Sequence, residues 1–428
     1  MSAAREPAAV DLVVAHASEL LTARAGPAGA AGAALDAPEV IADGAVAVRG
    51  GRVVAVGPSD EVLRACRPGE LVDASGRLVT PGFVDSHVHL VHGGSRHDEH
   101  ERKLRGLPPS PGPSGIAATI AHTAAASDDE LRSRAIADLD VMLAHGTTTA
   151  EAKTGYGGGA DGELRLLHIS AGLDHDVTVV PTFLGAHAIP PERAGDRAAF
   201  IDEIVAALPG ARAQAAFVDV FCDPVGVTPA EAERVLAAAR DLGLARKAHA
   251  DQHADVGATA LAARYGATSV DHADYAAPDG IAALVDARAV AVLLPGVAHH
   301  LAELTPDRDG TVAKPHLPAQ VRRLVEAGAT LALSTDYNPG TSPTRSMQTV
   351  LELALRLFRL PVAAAWQMAT INGAHALGVA GERGSLEPGK AADLIVWDVA
   401  HAGMVANRVG TNLVGRVYKD GRQVVPAT

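Results

Sequence analysis

Pro81-Gly82-Phe83-Val84-Asp85-Ser86-His87-Val88-His89-Leu90 is a short apolar run that ends in two histidines one residue apart. Alternate side chains of a β-strand face the same side, so His87 and His89 can present their ring nitrogens to one ion. Asp85 falls on the same face one pleat deeper, where it can orient a ligand. Such a pair also arises by chance on an exposed strand, and its reading turns on what the rest of the chain supplies.

Seven further strand-like runs follow: Thr147 to Lys153, Val177 to Leu184, Phe217 to Cys222, Ala245 to Ala250, Ala267 to His272, Ala289 to Leu294 and Thr330 to Thr335. Amphipathic helical patterns separate them. Eight βα units in series predict an α/β protein built on a TIM-type (β/α)8 barrel, with its chemistry at the C-terminal ends of the strands. Upstream, Asp11 to Ala15, Gly44 to Arg49 and Arg52 to Val56 read as short strands around the turn Gly50-Gly51. Gly384 to Asp398 and Val414 to Val425 return to the same strand-and-turn chemistry. The expected organisation is a barrel over 81–380, beside a small β-sandwich domain formed by both chain ends, 1–80 and 381–428. Gly26 to Ala34, rich in Gly and Ala, reads as a mobile loop without function.

Hydrophobic residues make up 48% of the 428, and aromatics only 3%, so the core must be built from Ala, Val and Leu. The formal charge of −13 argues against nucleic acid or an anionic membrane as partner. The N-terminus lacks an apolar core of signal-peptide length, and no apolar stretch approaches the roughly 20 residues that cross a bilayer. Cytoplasmic location is expected. Cys66 and Cys222, too few for a disulfide framework, are read as reduced.

The polar residues of interest sit at strand ends. The fifth strand closes on His249-Ala250-Asp251-Gln252, the sixth on Asp271-His272, and the eighth on Ser334-Thr335-Asp336-Tyr337-Asn338. Three histidines and a carboxylate suit one divalent ion, Zn2+ or Fe2+, with a position left for water. Taken singly, His249 with His253 also reads as a helical surface pair, Asp336 as a helix cap and His272 as a core histidine.

In this order the residues resemble the metal-dependent amidohydrolase superfamily. A narrower likeness lies in Gly93-Gly94-Ser95-Arg96, Lys153-Thr154-Gly155-Tyr156-Gly157, Thr182 to Ala188, His249-Ala250-Asp251-Gln252 and Ser334 to Thr344, and covers nearly all of the chain from about residue 40. The resemblance implies metal ligands at His87, His89, His249 and Asp336. It implies substrate contacts at Arg96, Tyr156, His187, Gln252, Asn338, Gly340 and Thr341. The implied reaction is hydrolysis of a cyclic amide C–N bond, that of 4-imidazolone-5-propanoate to N-formimidoyl-L-glutamate in histidine degradation. Arg96 is then expected to fork onto the propanoate carboxylate, with Tyr156 as a second donor. His187 is expected to polarise the ring carbonyl. His272 is expected to act as base, and Asp336 as ligand and proton shuttle.

Relatives with two metals bridge them with a carboxylated lysine at the end of the fourth strand. Phe217 to Asp223 contains no lysine, so one metal is expected, and Lys153 on the second strand is read as structural. Related heterocycle deaminases carry a Glu that ferries protons at the position of Gln252. An amide cannot do so, which favours ring opening over deamination. The alternatives are a paralogue that opens another carboxylate-bearing five-membered cyclic amide or amidine, or a deaminase. His92, His97, His100, His299 and His300 read as solvated loop residues. The partner implied is a small-molecule substrate, and a homodimer is common among such barrels.

Overall fold

The computed structural model describes residues 7–109, 111–307 and 309–426. All eight expected barrel strands are present: Phe83–Asp85, Thr147–Lys153, Thr178–Ala186, Phe217–Cys222, Ala245–Ala250, Ser269–His272, Val290–Leu293 and Thr330–Leu333. They pair in parallel in sequence order. The first is shorter than its apolar run, and His87 and His89 lie beyond its last ladder residue. The eighth and first strands meet through the single bridge of Val88 to Tyr337 and through side chains. His89 N–H donates to the Tyr337 carbonyl at 2.9 Å, and His87 N–H to Ser334 Oγ at 2.7 Å.

The chain ends form two sheets. One has four strands, in the order Arg52–Pro58, Gly44–Arg49, Ala8–Ala17 and Cys66–Asp73. The other has six, in the order Arg422–Val425, Val414–Lys419, Leu394–Trp397, Leu78–Pro81, Glu19–Leu21 and Val40–Ile41, so both termini share it. Although aromatics are scarce, three are concentrated where this sheet meets the barrel. Phe83 stacks on Trp366 at 5.2 Å and meets Trp397 edge-on at 5.7 Å. Both indoles are buried and spend their N–H, Trp397 on Thr80 Oγ1 and Trp366 on the Ala402 carbonyl.

Gly26 to Ala34 is docked rather than free, contrary to the expectation. The Asn372 side-chain amide accepts from Ala30 N–H and donates to the Ala30 carbonyl, each at 2.8 Å, while Ala31 bridges Thr330 at the start of the eighth strand. Small residues here permit close approach: a Cβ on Gly29 would lie 2.8 Å from Asn372 Oδ1. Cys66 and Cys222 are both free and buried. Among the described residues no helix is long and apolar enough to cross a membrane.

Candidate active site

His87, His89 and His249 converge with Asp336 at the C-terminal end of the barrel. The ligand atoms of the three histidines lie within 4.8 Å of one another, as do those of His87, His272 and Asp336. Asp336 Oδ1 lies 3.3 Å from His87 Nε2 and 3.5 Å from His89 Nε2. The Nε2 atoms of His89 and His249 are 3.4 Å apart.

Each histidine is turned by an acceptor at its other nitrogen. His87 Nδ1 donates to Asp271 Oδ2 at 2.6 Å, His89 Nδ1 faces the Thr154 carbonyl at 3.4 Å, and His249 Nδ1 lies 3.1 Å from Asp219 Oδ2. Loss of any proton at Nε2 would leave three lone pairs for one cation. His87 Nε2 is buried without a hydrogen bond. Burial opposes charge on His87, yet Asp271 and Asp336 overcome both that and the repulsion of Lys153, raising its pKa to about 9. Burial and the neighbouring imidazoles hold His89 and His249 below their ordinary pKa, and a divalent ion fits this set of three imidazoles and one carboxylate.

Behind the histidines lies a buried ionic network that the sequence reading did not assemble. Lys153 Nζ reaches Asp219 at 2.5 Å and both Glu151 and Asp271 at 3.1 Å, and Lys247 reaches Glu151 at 2.8 Å. All five side chains are fully buried. Burial works against the Lys153 ammonium, but the three carboxylates outweigh it and raise its pKa. Two of the three Lys153 partners, Asp271 and Asp219, are the carboxylates that face Nδ1 of His87 and of His249. Asp85 orients neither histidine. It accepts from Thr335 N–H at 2.9 Å, from Thr335 Oγ1 at 2.7 Å and from the Ser334 hydroxyl, and so anchors the loop that carries Asp336.

A cavity of about 220 Å3 opens above the ligands. His89, His249, Asp336, His272, Arg96, Tyr156, His187, Gln252, Asn338 and Thr341 all reach it, and Phe221, Val225 and Leu301 add apolar wall. Gly340 does not line it but makes room: a Cβ there would stand 1.7 Å from an Arg96 Nη atom. Arg96 spends Nε and Nη2 on Glu99, at 3.1 and 2.7 Å, which leaves Nη1 outside that pair. Asn338 Oδ1 accepts from Gly340 N–H and Thr341 N–H, and its Nδ2 donates to Thr341 Oγ1, which shapes the turn over Arg96. Gln252 is set by Asp223, whose Oδ2 accepts its backbone N–H at 3.0 Å.

His272 and Asp336 both take left-handed backbone, at φ 72° and 50°, a conformation uncommon outside glycine, and their side chains cluster with His87. Burial, with the nearby His249 and His87, holds His272 well below its ordinary pKa. Burial likewise lowers His187 to about 4. Because His187 Nδ1 faces the Gly155 carbonyl at 2.9 Å, its proton sits on Nδ1. Its Nε2 therefore offers a lone pair, suited to accept a hydrogen bond rather than to polarise the ring carbonyl as expected from the sequence. Of the extra histidines, His92 is buried rather than solvated, with Nδ1 donating to the His89 carbonyl. His100 and His300 stack at 3.8 Å, while His97 and His299 are exposed.

Fold and donor set define a metal-dependent hydrolase of the barrel class, and the comparisons agree. The chain belongs to the amidohydrolases: the amidohydrolase family profile matches residues 78–424. Among solved structures it is similar to an adenosine deaminase from Xanthomonas campestris with bound zinc, at 20% identity and a TM-score of 0.67 over 97% of this chain and 93% of that one. It is also similar to guanine deaminase from E. coli, at 16% identity and a TM-score of 0.68 over 96% of this chain and 99% of that one. At such identities these likenesses speak for the fold.

Within the amidohydrolases the chain belongs to the imidazolonepropionase family. It is 40% identical to the imidazolonepropionase of Sphingopyxis alaskensis over 90% of this chain and 93% of that protein. It is 40% identical to that of Chloroflexus aggregans over 97% and 98%, and 42% identical to that of Methylobacterium nodulans over 90% and 94%. Residues 44–65 match a bacterial imidazolonepropionase-like composite domain.

Proposed function

We propose that this chain hydrolyses 4-imidazolone-5-propanoate to N-formimidoyl-L-glutamate, a step of histidine degradation, with one divalent ion held by His87, His89, His249 and Asp336. The observation that carries this reading is the pairing, across one small cavity, of that ligand set with the free edge of Arg96. A divalent ion so held supplies Lewis acidity and brings the pKa of water toward neutrality.

The remaining steps fall to the chain's own side chains. Arg96 grips the propanoate carboxylate by the edge that Glu99 leaves open, and the Tyr156 hydroxyl donates beside it. His187 Nε2 takes a ring N–H, Gln252 adds a neutral hydrogen bond, and the Asn338 to Thr341 turn closes the tail end. His272, neutral and facing the ion position, takes the proton from the attacking water. Asp336 takes that proton on from His272 and delivers it to the departing ring nitrogen as the C–N bond opens. Gln252, lacking a titrating proton, supports ring opening over deamination. Zn2+ and Fe2+ both suit three imidazoles and one carboxylate, and metal analysis of the purified protein decides between them. The acidic charge and the two free, buried cysteines support a cytoplasmic enzyme.

The test follows the absorbance of freshly generated imidazolone propanoate with metal-loaded protein. The expected result is its decay with formation of N-formimidoyl-L-glutamate. No turnover with a full complement of metal overturns the substrate assignment.

A further inference from the structure

Tyr156 is carried by a glycine-rich loop between the second barrel strand and the helix Ala160–Ala171. Glu163, in the first turn of that helix, is 2% exposed and turns both oxygens back onto the loop. Its Oε2 accepts from Gly155 N–H at 2.6 Å, and its Oε1 from Gly157 N–H at 2.5 Å. Tyr156 lies between the two residues so held. Gly155 in turn gives its carbonyl to His187 Nδ1.

The glycines make this closeness possible. A Cβ on Gly157 would stand 2.2 Å from the Glu163 nitrogen, and one on Gly162 2.0 Å from the Gly157 oxygen. Gly155 has φ +120°, and a Cβ there would stand 2.6 Å from the His187 ring. Two N–H donors face two acceptor oxygens, a match that an amide cannot reproduce because its NH2 would oppose one of the donors. Burying a carboxylate is costly, and burial pushes Glu163 up to about 7 even against its hydrogen bonds.

We propose that Glu163 is a positioning residue of the substrate site: by holding Gly155 and Gly157 it places the Tyr156 hydroxyl and His187 Nε2 against the ring and its tail. It touches no substrate itself. The inference rests on the ring-opening reading for the ligand's identity, whereas the clamp on the loop is independent of it.

The test has two arms on the metal-loaded full chain, wild type against E163Q. Hydrogen exchange needs no substrate: faster exchange of the amides in 154–159 is expected, with the rest of the barrel unchanged, and unchanged loop protection overturns the proposal. In the kinetic arm, KM for imidazolone propanoate is expected to rise about tenfold, the size of one lost charge-assisted hydrogen bond, with metal content and kcat nearly kept. A lower kcat or metal content at unchanged KM shows a merely structural role and overturns the proposal. Should E163Q fail to fold, Gly157→Ala forces the loop off the same clamp from the other side and is expected to give the same exchange pattern and the same rise in KM. Absent turnover in wild type sinks the substrate assignment, while the exchange arm still decides the clamp.

Discussion

Lys153→Met withdraws an ammonium that touches Glu151, Asp219 and Asp271 inside the barrel. Lys247, bonded to Glu151, is then the lysine left among three buried carboxylates. Removing one partner of a buried ion pair costs about 3–5 kcal/mol, chiefly because the other charge is stranded. At roughly 2.1 cal/mol/K per residue, 428 residues give an unfolding entropy of about 0.9 kcal/mol/K, so Tm should fall by about 3–6 °C. Circular dichroism melts of metal-stripped wild type and variant measure this without a contribution from bound metal. Adding Asp219→Asn to Lys153→Met removes one stranded charge and should restore roughly 1–2 kcal/mol, a coupling ordinary for residues sharing a network. An unchanged Tm, or a double variant less stable than Lys153→Met, would refute the reasoning.

Asp271→Asn should weaken metal binding by about 10–100-fold, as loss of a partner that orients a ligand does; chelator competition measures it, and equal affinity removes Asp271 from that role. His272→Ala should keep its metal and lose turnover, so substantial activity in a fully loaded variant would exclude His272 as the base. Arg96→Ala should lower kcat/KM through binding of the carboxylate tail, and an unchanged value would take Arg96 out of the substrate site. Glu163 also predicts a pH dependence. Its folded pKa of about 7 exceeds the ordinary 4.5, so the folded chain holds the proton more tightly than the unfolded chain does. There is no difference below 4.5, and a penalty on the fold grows as pH rises to about 7. Urea denaturation of metal-free wild type and E163Q should therefore show their stability difference moving toward E163Q between pH 5 and 8, by at most about 3 kcal/mol. A flat difference would contradict the raised pKa.

The barrel was legible because each strand is a short apolar run bounded by polar ends, and periodicity reports burial directly. His87, His89, His249, His272 and Asp336 were legible as ends of such runs. The network behind them was not: Lys153, Asp219 and Asp271 lie on the second, fourth and sixth strands, and only closure of the barrel brings them together. A signal was nonetheless present. Glu151 and Lys153, and Lys247 and His249, alternate with small apolar residues, the parity of an inward face carrying charge. Glu99, three residues after Arg96, was not picked out, because its hold on the Nε edge depends on the helix His97–Leu104 beginning where it does. Gly26 to Ala34 misled because small residues serve close packing and flexibility equally, and only the Asn372 amide on the far side separates the two.

The joint between the eighth and first strands has little ladder of its own, and the ligands stand on both its lips, His87 and His89 on one and Asp336 on the other. An ion held there, as proposed, would act as a rivet through the weakest joint of the cylinder, so that loading the catalyst would also complete the wall that contains it. Stripping the metal should accordingly loosen one defined edge, with Ser334 to Tyr337 exchanging their amide protons faster while the other seven joints stay protected by their own ladders.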